Sequence, residues 1–127
     1  MHLPEAPILL HCLYLIKQEN LSGVMYSLEM HWPSFFAAHV YHWGDVHVKT
    51  LGRSGRPRIS PAGAALERDI PFTFHQDTPV LPPDMLETVW CGVNRLTRSG
   101  AVLGPEQKIP VVEALAAVTI RGGLAVF

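Results

Sequence analysis

His11, His39 and Asp77 each come after a short apolar stretch. Ile8-Leu9-Leu10 precedes the first, Pro33-Ser34-Phe35-Phe36 leads toward the second, and the run from Ile70 to Phe74 ends just before the third. Imidazole nitrogen and carboxylate oxygen are donors that zinc and related divalent metals take from proteins, and water on such a metal is acidified to a pKa of about 7. Two histidines and an aspartate, each behind a strand-like run, therefore suggest metal-dependent hydrolysis. Position matters as much as type. In an α/β barrel the catalytic residues sit at the C-terminal ends of the strands, and Pro79 stops the Ile70–Phe74 run just past Asp77. The plainer role for Asp77 is to cap a turn ahead of Thr78-Pro79, and for His11 to be hydrogen-bonded in a core. His31, His39, His42 and His47 form a second grouping, in which His42 and His47 flank Trp43-Gly44-Asp45. Surface histidines are the ordinary reading of that pair, and a histidine-rich metal-binding surface is another.

The elements that must hold these residues alternate. Residues 1–7 contain two prolines and read as an irregular lead-in, followed by a strand over Ile8 to His11. Between Gln18 and Met30, Leu21, Val24, Met25 and Leu28 recur at helical spacing and mark one buried face. A strand is expected near Trp32 to Ala38, then a polar surface loop over Asp45 to Pro57. Pro61 to Arg68 reads as a short helix with Ser60 as N-cap and Pro61 at its first position. After the Ile70–Phe74 strand, Asp84 is placed to cap a helix with Met85, Leu86, Val89, Val93 and Leu96 inward. Arg95 and Arg98 fall on its exposed side or at its C-terminal end, where positive charge offsets the helix dipole. Another helix starts at Pro110, with Val111, Ala114, Leu115 and Val118 inward and Gly122-Gly123 as its break. Strands alternating with helices predict an α/β fold, a parallel sheet covered by helices. Trp32, Trp43 and Trp90 read as packing residues.

Four long motifs carry a family resemblance. They are PSFFAAHVYHWGD from Pro33 to Asp45, RISPAGAALERDIPFTFHQDTPVLPPDML from Arg58 to Leu86, VNRLTRSGAVLGPEQ from Val93 to Gln107, and EALAAVTI from Glu113 to Ile120. Together they resemble the amidohydrolase superfamily, in particular amidohydrolase family 3, metal-dependent hydrolases of carbon–nitrogen bonds. The resemblance implies a partial TIM barrel over residues 1–127, roughly strands five to eight, because the family's first-strand His-x-His and fourth-strand Lys or Glu have no counterpart here. It also requires a very short seventh strand, around Arg58-Ile59, between those that carry His39 and Asp77. By motif position His11 and His39 would be metal ligands, with Asp77 both ligand and general base. His42, Asp45 and His75 become candidates to line the substrate pocket. The implied cofactor is a divalent metal, zinc above all, with one or two ions in a complete enzyme. The implied substrate is a small molecule with an amide or cyclic amide bond. A half-barrel alone is expected to be inactive and to pair with a second copy or with the missing N-terminal half. A non-catalytic binding or assembly module is the rival expectation.

Composition fits this class. A net charge of −1 offers no electrostatic case for nucleic acid or an anionic membrane, and 48% hydrophobic residues can supply a core. Eleven prolines and ten glycines imply many turns. No apolar run approaches the roughly 20 residues of a membrane span, and the N-terminus lacks the early basic residue of a signal peptide. Cys12 and Cys91 without CxxC spacing read as reduced thiols of a cytoplasmic protein.

Overall fold

Two parallel strands form the centre of the fold. The computed structural model describes residues 32–50 and 59–126, and His11, Cys12 and the expected elements before residue 32 lie outside them. Strand β1 (Ser34–Phe35) pairs with β2 (Thr73–Phe74), Ser34 opposite Thr73 and Phe35 opposite Phe74. The ladder extends through Thr73 N–H to Pro33 O at 3.0 Å and His75 N–H to Phe35 O at 3.1 Å. Both strands are shorter than the Trp32–Ala38 and Ile70–Phe74 runs suggested. Phe72, Thr73 and Phe74 are nonetheless all buried, as expected of a parallel strand covered on both faces. β1 and β2 are direct neighbours, so the expected seventh strand does not lie between them. Ile59 forms part of a bend, and Arg58 is outside the described residues.

Helices surround this pair. Between the strands come α1 (His39–Thr50) and α2 (Ala62–Glu67); after β2 come α3 (Met85–Asn94), a 3₁₀ turn (Pro105–Gln107), α4 (Val111–Val118) and α5 (Ile120–Val126). The main core joins Phe35, Phe72 and Phe74 to Ala62, Ala65, Val89, Cys91, Ile109, Ala114 and Ala117. Small residues on the helices let them approach the aromatic strands closely. Gly92 shows why: a Cβ there would come within 2.8 Å of the Phe74 ring. A second cluster of Val40, Ile59 and Leu103 lies beneath α1.

Several boundaries depart from expectation. Residues 45–50 continue α1 instead of entering a loop, because Gly44 is buried against Thr97, whose methyl group would lie 2.6 Å from an added Cβ. Ser60 does not cap α2; its backbone has φ 47°, and its hydroxyl donates to Phe36 O at 3.1 Å. Pro61 precedes α2 as its N-cap rather than opening it. Asp84 does cap α3, accepting from Glu87 N–H at 3.0 Å. The buried face of α3 is Thr88, Val89, Cys91 and Gly92, however, and Leu86 is 74% exposed. In α4, Ala114 and Ala117 are buried while Val111 and Leu115 are exposed. The chain breaks at Thr119, and Gly122-Gly123 lie inside α5.

Candidate functional site

Parallel pairing brings the C-terminal ends of β1 and β2 to one side of the molecule. His39 opens α1 shortly after β1, and His75-Gln76-Asp77 follows β2 directly. Phe36 joins the two. Its ring stacks on His75 with centroids 5.5 Å apart and lies 5.4 Å from that of His39. Trp43, one turn along α1, closes against His39 at 5.1 Å and Phe36 at 6.0 Å. The imidazoles therefore sit in an aromatic wall at the strand ends.

Each histidine there has a definite setting. Ser34 Oγ and His75 Nδ1 share a hydrogen bond of 2.8 Å from strand to strand. His47 Nε2 lies 3.0 Å from His39 Nδ1 and 3.2 Å from its Nε2, with the rings 4.3 Å apart. Burial, reinforced by His47 and opposed by the Asp77 charge, pushes the His39 pKa down to about 4. Burial also lowers His47, and it lowers His75 against the opposing pull of Asp77. All three rings are thus neutral at pH 7, the form in which imidazole binds metal. Asp77 is exposed, in a turn with φ 55°, and its carbonyl accepts from Val80 N–H at 2.8 Å. Next to it, Gln76 is 3% exposed; its amide donates to Asp84 O, while its Oε1 has no partner.

His42 and Asp45 face another way. His42 Nε2 meets Glu87 Oε1 at 3.0 Å, and its Nδ1 is 3.1 Å from Arg98 Nη2. The Arg98 guanidinium also lies 5.8 Å from the centre of the Tyr41 ring. Asp45 accepts from the Ser99 hydroxyl at 2.6 Å and the Ser99 N–H at 3.0 Å. Those bonds, with help from Thr97, hold its carboxyl below the usual carboxylate range. Both residues thereby fasten α1 to α3 and to the turn closed by the Leu96–Val102 bridge. His42 and His47, adjacent in the sequence pattern, have different partners, which separates them as a metal-binding pair.

Arg95 is the important residue that sequence reasoning misjudged. It ends α3 in the left-handed conformation, as a C-terminal position allows, but it is 1% exposed. Its guanidinium donates to Leu103 O at 2.9 Å, Ser60 O at 3.0 Å and Ile59 O at 2.6 Å. Three carbonyls receive it, with no carboxylate in hydrogen-bond contact among the described residues, and burial lowers its pKa to about 10. The segment expected as a seventh strand is thus held by a side chain where a ladder was expected. The glycines and polar residues around Arg95 gave no signal of this.

As a donor set, the His39–His47 pair offers two nitrogens of the kind zinc takes, with the Asp77 charge nearby. No group of three metal-binding side chains forms among the described residues. A metal held at this point would need donors beyond these described residues.

The model of the amidohydrolase family matches residues 24–126. No curated protein and no solved structure matches the chain. No helix among the described residues is long and apolar enough to cross a membrane. With the mixed strand and helix architecture and a match over most of its length, the chain belongs to amidohydrolase family 3, whose members are generally metal-dependent.

Proposed function

We propose that the C-terminal ends of β1 and β2 form one wall of a metal-dependent hydrolase site that cleaves an amide or cyclic amide bond of a small molecule. The observation that supports this most is that the segments following two adjacent parallel strands bring the His39, Phe36 and His75 rings together, with Asp77 two residues beyond His75. His39 and Asp77 would hold zinc together with His11, which lies outside the described residues. Bound zinc would polarise the amide carbonyl and acidify a water.

The chain's own groups have separable tasks in this reading. Asp77, exposed and next to the neutral imidazoles, takes the proton of the attacking water and passes it to the leaving nitrogen. Phe36 and Trp43 shield one side of His39 from solvent. Ser34 fixes the His75 ring through Nδ1, which leaves Nε2 for a polar group of the substrate. His42 and Asp45 form the rim and keep α1 in place. Residues 1–127 act as part of a single barrel domain, completed by further barrel strands or by a second copy. A cytoplasmic location rests on the reduced-thiol reading; Cys91 is a free, buried thiol, and burial pushes its pKa up to about 12.

A second reading, a non-catalytic binding or assembly module, is favoured by the absence of a three-donor group among the described residues. Zinc calorimetry combined with a screen of small amides and cyclic amides separates the two. The hydrolase reading expects zinc affinity to fall by roughly tenfold or more in His39→Gln and in Asp77→Asn. It expects any turnover found to disappear in Asp77→Asn. Zinc binding indifferent to both substitutions leaves the assembly module.

A further inference from the structure

We propose that Gln76 is a positioning residue that holds the Asp77 turn at the end of β2 by stapling the two ends of the 77–84 loop together. The inference rests on the reading of Asp77 as the general base, but it assigns a buried side chain that has no part in that reading.

The loop between β2 and α3 has few anchors. Residues 77–80 and 82–84 are exposed, and Leu81 between them enters the core. Asp77 opens the loop with φ 55°, a left-handed conformation that is costly for a residue carrying a Cβ. Its carbonyl accepts from Val80 N–H at 2.8 Å, a bond within the turn that does not tie the turn to the rest of the molecule. Gln76 supplies that tie. It directly precedes Asp77, is 3% exposed, and its Nε2 donates to Asp84 O. Asp84 is itself fixed. Its carboxylate caps α3 by accepting from Glu87 N–H, and its carbonyl also accepts from Thr88 N–H and Thr88 Oγ1, both at 3.2 Å. The staple thus fastens the start of the loop to the first turn of α3.

Elementary chemistry sets the orientation of the amide. A carbonyl only accepts, so the atom facing Asp84 O is the NH₂ nitrogen, and Oε1 is left buried without a partner. A buried orphan acceptor costs stability, and an apolar side chain of the same length would avoid it. The amide is therefore explained by the geometry it imposes on the loop, not by the stability it adds.

Amide hydrogen exchange of the full chain, followed by NMR in wild type, Gln76→Met and Gln76→Glu, tests this. Both variants keep the side-chain length and lose the donor. Exchange at Val80 N–H should speed up by roughly fivefold in each, the ratio that one net hydrogen bond provides. The amides of α3 and the melting temperature should stay at wild-type values in Gln76→Met. In the wild-type protein the Gln76 side-chain amide protons should be protected from exchange, a measurement that needs no variant to fold. Unchanged Val80 exchange in both variants, or unprotected Gln76 side-chain protons, overturns the proposal. So does a uniform loss of protection with a lowered melting temperature in Gln76→Met, which marks an ordinary core residue. Any amide turnover found should lose kcat in Gln76→Met with KM unchanged, because the base is displaced and substrate binding is not. Val80 released by Gln76→Met, with zinc binding and turnover indifferent to Asp77→Asn, keeps the staple and removes the hydrolase reading.

Discussion

The histidines of the aromatic wall tie stability to pH. His39 has its folded pKa lowered to about 4 by burial first and His47 second, and His47 and His75 are lowered by burial. In the unfolded chain these groups titrate near 6.5. Between those values the unfolded state binds more protons, so stability rises with pH. The metal-free protein should therefore keep its full stability above about pH 6.5 and lose it progressively as pH falls toward 4. Urea midpoints measured across that range check the slope, and His39→Phe should flatten it. A different residue controls the Ile59–Ser60 bend. Arg95→Met leaves the carbonyls of Ile59, Ser60 and Leu103 without their donor, each at about 1–3 kcal/mol, offset in part by removal of a buried charge. A net loss of about 3 kcal/mol is expected in chemical denaturation, and Arg95→Lys should recover only part of it because an ammonium cannot span three acceptors.

Local chemistry was legible at helix ends, and tertiary contacts were not. Asp84 announced the start of α3 because a cap is a bond between residues three apart, and Pro110 marked the start of α4 for a similarly local reason. The buried faces were harder to read. Hydrophobic spacing selected Leu86 and Leu115, but the faces that touch the strands are lined by Thr88, Gly92, Ala114 and Ala117, which admit the Phe74 ring and close helix packing. Asp45 to Pro57 read as a loop from its polar, glycine-containing composition, yet residues 45–50 are helical, and Gly44 just before them is required by the close approach of Thr97. Asp77 was legible as a residue of the turn after a strand, whereas His39, expected at the end of a longer strand, opens α1. The contact of His47 with His39 could not be read from spacing. Gly63 gives a test of such close packing. A Cβ there would collide with the Glu106 carbonyl and press on Gln107, whose side chain accepts from Ala64 N–H at 2.9 Å. Gly63→Ala should gain up to about 1 kcal/mol of helix propensity and lose about 1–3 kcal/mol to overpacking. A lowered melting temperature is the expected outcome.

Over the whole molecule, the outer faces of α3, α4 and α5 are strongly apolar. Leu86, Val112, Ile120 and Leu124 are 74%, 70%, 70% and 61% exposed, and Trp90, Val111 and Leu115 are exposed beside them. Glu113 and Arg121 form an ion pair, and the Arg121 guanidinium also lies over the Phe72 ring, so neither leaves an unpaired charge on that side. Apolar surface of this kind favours association. The purified chain should scatter light as a dimer or larger species, and Val112→Glu with Leu124→Lys should shift it toward monomer. A monodisperse monomer without those substitutions would mean that the fold is self-sufficient.

The strand-end site itself is tested most directly by locating a metal in crystals soaked with zinc, using the anomalous difference map. A peak at the C-terminal ends of β1 and β2, within bonding distance of His39 and beside Asp77, is the expected result. A peak at His42 and Glu87 instead, or full zinc occupancy at a position that touches neither His39 nor Asp77, would show that the convergence of these residues is structural and that the chain holds no hydrolase wall.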